Sequence, residues 1–301
     1  MSWVILFLLG AIWGASYMFI KVGGAEIPTF TFVAGRTLIA AIALFIVLRL
    51  RGESMPRTRR AWLPLIAMGI FNGVIPYTAI TWGETHITSG LAAILTAAVP
   101  LFTVILGHFW THDERLTMWK ALGVVVGFVG VAVLFFPELR RGIQMEFWGQ
   151  FAIVLASASY AVATLIAHEK LHGVSSIVAA TGQLGSAALF MLPLSIVFDT
   201  PFALRPSFVA TASLFTLALL GTALAYVLYY WLIEHTGATR TSLVTFILPI
   251  AGVMWGALLL HEPFEWEALA GLALIMAGIG LVNRSGAPAR ATRPSAAVSG
   301  K

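Results

Sequence analysis

The 301-residue chain contains no cysteine, which excludes disulfides, thiolate chemistry and cysteine-held metals. Charge is nearly as scarce. Asp, Glu, Lys and Arg make up 10% of the residues, where a soluble domain carries about 25%. None of the acids lies near the middle of a long apolar run, so paired intramembrane carboxylates are absent, and no P-loop or G-x-S-x-G elbow occurs. What fills the chain is hydrophobic, at 59% of residues with a mean hydropathy of +0.91, the composition of an integral membrane protein. The pI of 9.8 invites a nucleic-acid partner, but the basic residues lie along one side of a membrane rather than in one patch, so none is expected.

Crossing ~30 Å of hydrocarbon takes ~20 residues. Ten apolar runs meet that length, at about 4 to 22, 30 to 50, 62 to 82, 89 to 110 and 118 to 136, then about 147 to 167, 176 to 198, 208 to 232, 241 to 260 and 266 to 283. They use about two thirds of the chain and leave little for a soluble catalytic or nucleotide-binding domain. The second five repeat the first. A shift of 149 carries Tyr77 onto Tyr226, Trp82 onto Trp231, His86 onto His235 and Pro100 onto Pro249. A shift of 148 carries Glu114 onto Glu262, Gly123 onto Gly271 and Gly130 onto Gly278, and Ala15-Ser16-Tyr17 recurs as Ala158-Ser159-Tyr160. With five spans per copy, the second must enter the bilayer the other way up. The fold class is therefore an all-α integral membrane protein of ten transmembrane helices in two inverted five-helix repeats. Residues 1–137 form the first repeat, 138–146 a connecting loop, 147–283 the second repeat and 284–301 a tail read as disordered. Inverted repeats of this kind build secondary transporters, with the site between the halves at the midplane.

Thirteen Lys and Arg fall on the side of the N-terminus and four (Lys21, Arg140, Arg141 and Arg205) on the other, with Arg36 inside a span. The positive-inside rule then places both termini in the cytoplasm. The first span lacks a preceding basic residue and a small-residue cleavage site, so it reads as a retained helix rather than a signal peptide. Eight of ten tryptophans fall at or near span ends, as a belt at the membrane interface. Trp13 and Trp255 lie in span interiors, where an indole N–H needs a partner.

Trp13-Gly14-Ala15-Ser16 followed by Lys21, Gly35-Arg36 in the second span, Pro100, and the Glu114-Arg115-Leu116 turn resemble the EamA family of the drug/metabolite transporter superfamily. The second half returns the pattern in part as Ser159-Tyr160, Pro249 and His261-Glu262. The resemblance covers residues 4 to 283. It implies a bundle in which helices 1 to 4 and 6 to 9 surround a central cavity, while helices 5 and 10 are peripheral or form a homodimer contact. It also implies export or exchange of small metabolites, amino acids or drugs across the cell's inner or plasma membrane, with membrane lipid as the surrounding partner. The first span offers Trp13, Ser16 and Tyr17 but no acid, unlike the small multidrug-resistance exporters of the same superfamily. A cationic-drug and proton antiport of their kind is disfavoured, and facilitated efflux or exchange stays open.

The same residues have a physical reading. Pro100 and Pro249 fall close to the centres of the fourth and ninth spans, where each removes a donor and frees a carbonyl one turn earlier. Matching discontinuities at the midplane of both halves point to a transport site. Arg36 is the one clear charge within a span and must find a partner, either a substrate carboxylate or phosphate, or carbonyls at a helix break. The family leans towards the structural role. Its repeat counterpart is the neutral Gln183. Asn72, Tyr17, Tyr77, Tyr160, Tyr226 and Tyr230, with Trp13 and Ser16, would suit a small organic solute with an apolar part and a polar head. Gly123, Gly127 and Gly130, echoed by Gly271 and Gly278, mark close helix packing. Glu114 and Glu262, just before the fifth and tenth spans, read as structural carboxylates at helix N-termini.

One stretch points elsewhere. His168-Glu169-Lys170-Leu171-His172 matches the zincin pattern H-E-x-x-H, but Gly173 follows at once and no third ligand is evident. The expectation is a secondary transporter of a small organic metabolite, with no cofactor and no enzymatic step. The alternatives are a transporter or flippase of phosphorylated or lipid-linked cargo and, from another class, a membrane metalloprotease.

Overall fold

The computed structural model describes residues 2–110, 116–237, 241–263 and 265–284. The Glu114-Arg115 turn, Arg240, the tail beyond Arg284 and the side chain of Glu234 lie outside them. The helices are α1 (Ser2–Gly24), α2 (Thr29–Leu50), α3 (Arg59–Gly83), α4 (Ser89–Trp110), α5 (Met118–Arg141), α6 (Met145–Lys170), α7 (Ser176–Phe198), α8 (Phe208–Thr236), α9 (Val244–Leu259) and α10 (Trp266–Arg284). Among the described residues nine are long and apolar enough to cross a membrane, and α9, at 16 residues, is the short tenth. Where a helix leaves the apolar layer, a hydroxyl often takes over an orphan donor. Thr88, Thr117 and Ser207 accept from the N–H of Leu91, Lys120 and Ala210 at the starts of α4, α5 and α8.

Direction alternates across short loops, so α1 begins and α10 ends at one face, called here the terminal face, and the other is the opposite face. The pairs that pack most extensively respect the duplication: α2 with α7 and α5 with α10 pair equivalent helices, while α1 with α8 repeats α6 with α3 and α1 with α9 repeats α6 with α4. Ring contacts repeat as well. His86 lies 4.6 Å from Trp82 and His235 4.1 Å from Trp231, centroid to centroid, each with Nδ1 at the tryptophan's carbonyl.

The duplicated glycines face one another inside the chain. A Cβ at Gly123 would lie 2.5 Å from the Gly278 carbonyl, and one at Gly130 2.8 Å from that of Gly271. Backbone therefore meets backbone between α5 and α10, the use small residues have in membrane helices. The glycine faces are occupied within one copy, so a homodimer through α5 and α10 would have to use their outer faces.

Three details differ from the sequence expectations. The loop expected at 138–146 is reduced to 142–144, because α5 continues to Arg141, with Glu138 and Arg141 paired at 3.5 Å along its last turn. Pro100 interrupts α4, whose segments Ser89–Thr96 and Val99–Trp110 are joined by a turn, but α9 runs through Pro249 without a break. Just before the break the Leu95 carbonyl accepts from Ser157 Oγ at 3.1 Å, a bond that Gly14, the repeat counterpart of Ser157, cannot make to α9. Finally, Glu262 does not sit on the N-terminus of α10. Its carboxylate accepts from Ser89 N at 2.8 Å, Ser89 Oγ at 2.9 Å and Gly90 N at 3.1 Å, at the start of α4.

The two ends of the bundle are unlike. Towards the opposite face one continuous core joins Tyr17, Ile20, Phe32, Ile80, Leu95, Ile153 and Ala210 from α1, α2, α3, α4, α6 and α8. Towards the terminal face the core divides into three small groups, on α1 with α8 and α9, on α2 with α7, and on α3 with α6. Polar ties follow the same division. At the opposite face three carboxylates bind the starts of other helices: Glu262 at α4, Asp199 at Thr31 N (2.7 Å) of α2, and Glu26 at Ser207 N (2.6 Å) and Oγ (2.7 Å) of α8. The two Ser207 bonds hold the Glu26 pKa below its ordinary value, so that clamp is charged and closed at neutral pH. Lys21 adds a fourth tie, its Nζ donating to the carbonyls of Glu84 (2.5 Å) and Ile87 (2.8 Å). The opposite face thus holds the continuous core and the polar ties, while the terminal face is packed in separate groups.

Candidate functional site

Both repeats carry the same local irregularity halfway along one helix. In α3 the residues Ile70–Val74, and in α8 Leu217–Leu224, form π-helical segments at matching positions. A π segment widens the ladder and leaves carbonyls for side chains. Ser159 Oγ donates to the Phe71 carbonyl at 2.7 Å, and Thr222 Oγ1 to that of Leu217 at 3.0 Å. Ser16, the counterpart of Ser159, lies against Gly221 in the second segment and bonds its own helix at the Ile12 carbonyl. These segments had no signal in the apolar periodicity, because π and α turns bury nearly the same residues.

Arg36 lies beside the second segment and over Tyr77, just past the first. It is 6% exposed, its Nε donates to Thr222 Oγ1 at 3.0 Å, and its guanidinium carbon lies 3.8 Å from the centroid of the Tyr77 ring. Ring and hydroxyl steady the cation without neutralising it. Among the described residues no carboxylate pairs with it, and the Nε bond is the one hydrogen bond recorded for it. Tyr160, Tyr226 and Tyr230 pack on the same buried group as Tyr77. Asn72, on the π segment of α3, donates to Gln183 Oε1 at 3.0 Å and to the Tyr226 hydroxyl at 2.8 Å, while Gln183 Nε2 is left without a partner. One cation, two amides and four phenols thus converge from α2, α3, α6, α7 and α8.

An aromatic row leads from this group towards the terminal face. Tyr226 stacks on Tyr230 (5.9 Å), Tyr230 meets Tyr229 (5.5 Å), and Tyr229 meets Trp13 (5.4 Å). Trp13 therefore belongs to the far end of the row, with no hydrogen bond from its indole among the described residues. The other interior indole, Trp255, donates to the Ala11 carbonyl at 3.1 Å. Tyr17 is buried in the continuous core on the other side. Pro100 and Pro249 are not brought to the group: each shapes its own helix, and α9 lies along α1, where a Cβ at Gly14 would strike Ala251. His168 and His172 have rings 5.5 Å apart at the end of α6, Glu169 pairs with Lys170 at 3.6 Å, and no group of three metal-ligating side chains occurs among the described residues.

A multi-pass membrane protein of two five-helix repeats, with a buried cation beside a midplane discontinuity, has the form of a transporter. The chain belongs to the EamA-like transporter family, whose model matches residues 1–136 and 147–284. It is 25% identical over 268 residues to the uncharacterized transporter YoaV of Bacillus subtilis, covering 89% of this chain and 91% of that one. The uncharacterized inner membrane transporter YedA of Escherichia coli is 27% identical over 271 residues, covering 88% and 85%. A probable terminal-alkyne amino-acid exporter of Streptantibioticus cattleyicolor is 28% identical over 273 residues, covering 90% of each chain. A crystal structure 17% identical in sequence superposes with a TM-score of 0.68 over 96% of this chain and 99% of that one, which shows the shared fold.

Proposed function

We propose that the protein is a secondary transporter that exports or exchanges a small amino acid or related metabolite by alternating access, binding it between the repeats beside Arg36. The observation that carries this is the buried guanidinium without a carboxylate, steadied by Tyr77 and Thr222. A solute carboxylate would complete the pair, and the cost of burying an unpaired cation makes that recognition strong. The tyrosines offer hydroxyls and ring faces to the remainder of the solute. The amino-acid exporter among the relatives supports this class. With both termini in the cytoplasm of an inner or plasma membrane, the face with fewer polar ties lies inward, the side from which an exporter loads.

The test is flux in proteoliposomes with a pooled amino-acid and metabolite panel, comparing the wild type with Arg36→Gln. Saturable uptake of carboxylate-bearing solutes, reduced at least tenfold in Arg36→Gln while neutral solutes keep their rates, is the expected result. Equal loss for all solutes would make Arg36 scaffolding. Uptake confined to phosphorylated or lipid-linked cargo would replace the carboxylate reading.

A further inference from the structure

Glu84 follows the last residue of α3 at the opposite face, and its side chain is 1% exposed. Neither carboxyl oxygen has a hydrogen-bond partner, and it forms no ion pair among the described residues. Lys21 reaches this place from α1 but gives its recorded hydrogen bonds to two main-chain carbonyls, one of them that of Glu84 itself. The other charged or titratable groups facing it are Arg36 from α2, Glu262 from the segment before α10, and Tyr17 from α1. His86, two residues on, is turned to Trp82. From α6, Gly149 packs on the backbone of Gly83, and the next residue, Gln150, is buried with Oε1 unpartnered. Thr81 Oγ1, one turn back along α3, is unpartnered too.

An ionised carboxylate with no partner is among the costliest groups a core can hold, and the usual remedy is to neutralise it. A protonated carboxyl is also a donor, and Gln150 Oε1 and Thr81 Oγ1 are acceptors without one. The duplication shows that the arrangement belongs to one face alone, since Ile233 stands in the place of Glu84 and Thr164 in that of Lys21.

We propose that Glu84 is a proton-binding site linked to the opening of the opposite face. The carboxyl holds a proton while that face is closed. When the face opens, the O–H bond breaks, the proton passes to water on that side, and the carboxylate is left beside the Lys21 ammonium. Because Glu84 lies at one end of the bundle, the proton returns to the side from which it came. It sets how often the face opens rather than driving solute uphill. The proposal rests on the alternating-access reading for the existence of the open form.

Burial, opposed by Lys21 and reinforced by Glu262, holds the Glu84 pKa well above the ordinary carboxylate value in the closed form. The closed form thus binds more protons than the open one. Opening is then favoured as pH rises from the ordinary carboxylate value through the raised one, by up to tenfold per pH unit. Glu26, whose pKa is lowered, acts below that window.

The test compares the full chain with Glu84→Gln in lipid bilayers. Difference infrared spectroscopy should show a protonated-carboxyl stretch at neutral pH in the wild type that Glu84→Gln lacks. Amide hydrogen exchange over residues 84–95, corrected for intrinsic rate, should report opening that rises with pH in the wild type and is flat in Glu84→Gln. Equal pH dependence in both, absence of the carboxyl band, or opening that follows sodium instead of pH would overturn the proposal. If Glu84→Gln does not fold, Lys21→Met decides, because loss of the opposing cation should move the wild-type window upward and an unmoved window overturns the proposal. Failure of solute flux with pH-linked opening intact would sink the transport reading and leave the proton site standing.

Discussion

Ser207→Ala should loosen the opposite face by a calculable amount. The Ser207 hydroxyl accepts from Ala210 N at 3.2 Å as the cap of α8 and donates to Glu26 at 2.7 Å, while the main-chain N–H of Ser207 keeps its own bond to Glu26 in the variant. The cap lies within α8 in either state and cancels, so what shifts the equilibrium is the bond from the Ser207 hydroxyl to Glu26, and loss of one such hydrogen bond is worth about fivefold. The natural absence of cysteine makes the assay direct. A single Ala97→Cys, buried beside the break in α4, should react with a membrane-impermeant maleimide only when the opposite face opens. Ser207→Ala should raise its labelling rate about fivefold. The repeat supplies the control of opposite sign. Shifts of 149 and 143 carry Thr58 onto Ser207 and Glu26 onto Glu169, yet here Thr58 caps α3 with no side-chain hydrogen bond and Glu169 sits on Lys170. If alternation forms the same clamp at the terminal face, Thr58→Ala should weaken the state open at the opposite face and lower the labelling. Both variants raising the rate, or Thr58→Ala leaving it unchanged, would refute the symmetry on which this rests.

Two further outcomes are expected. Asn72→Leu removes the donor to Gln183 and Tyr226, leaving two buried acceptors unpaired at ~1–3 kcal/mol, and should raise the KM of a carboxylate solute more than it lowers kcat in the proteoliposome assay. Gly130→Val would drive a side chain into the Gly271 backbone and should lower the detergent melting midpoint, overpacking of this kind costing about 1–3 kcal/mol. An unchanged midpoint would mean that α5 and α10 separate easily.

The span pattern, the duplication and the family were legible in the residues, because bilayer thickness and repeated identities act on single positions. The pairing of glycines was half legible: Gly123 and Gly278 announced close packing, but only the assembled bundle shows that they meet each other. The two prolines gave identical signals, and their different outcomes go with a different residue on the facing helix, Ser157 against Gly14, that no local pattern pairs with them. Glu84 escaped notice because it falls just past a predicted span end, where a charge looks solvated. Its burial comes from α6 packing glycine on glycine at Gly83 and Gly149. Arg36 was recognisable from sequence as a cation in need of a partner. That its supports are a ring and a hydroxyl follows from the π segment that turns Thr222 towards it.

The divergence of the two halves bears on how the carrier rests. Two identical inverted copies would make the end states mirror images, equal in energy, and a carrier built from them would idle evenly between both sides. Here the differences gather where the ends must seal, with Lys21 against Thr164 and Glu84 against Ile233. Each such difference weights one end state over the other without touching the bound solute. Under the proposed alternating access the molecule is a biased rocker, whose resting tilt mutation can reset independently of its taste in cargo.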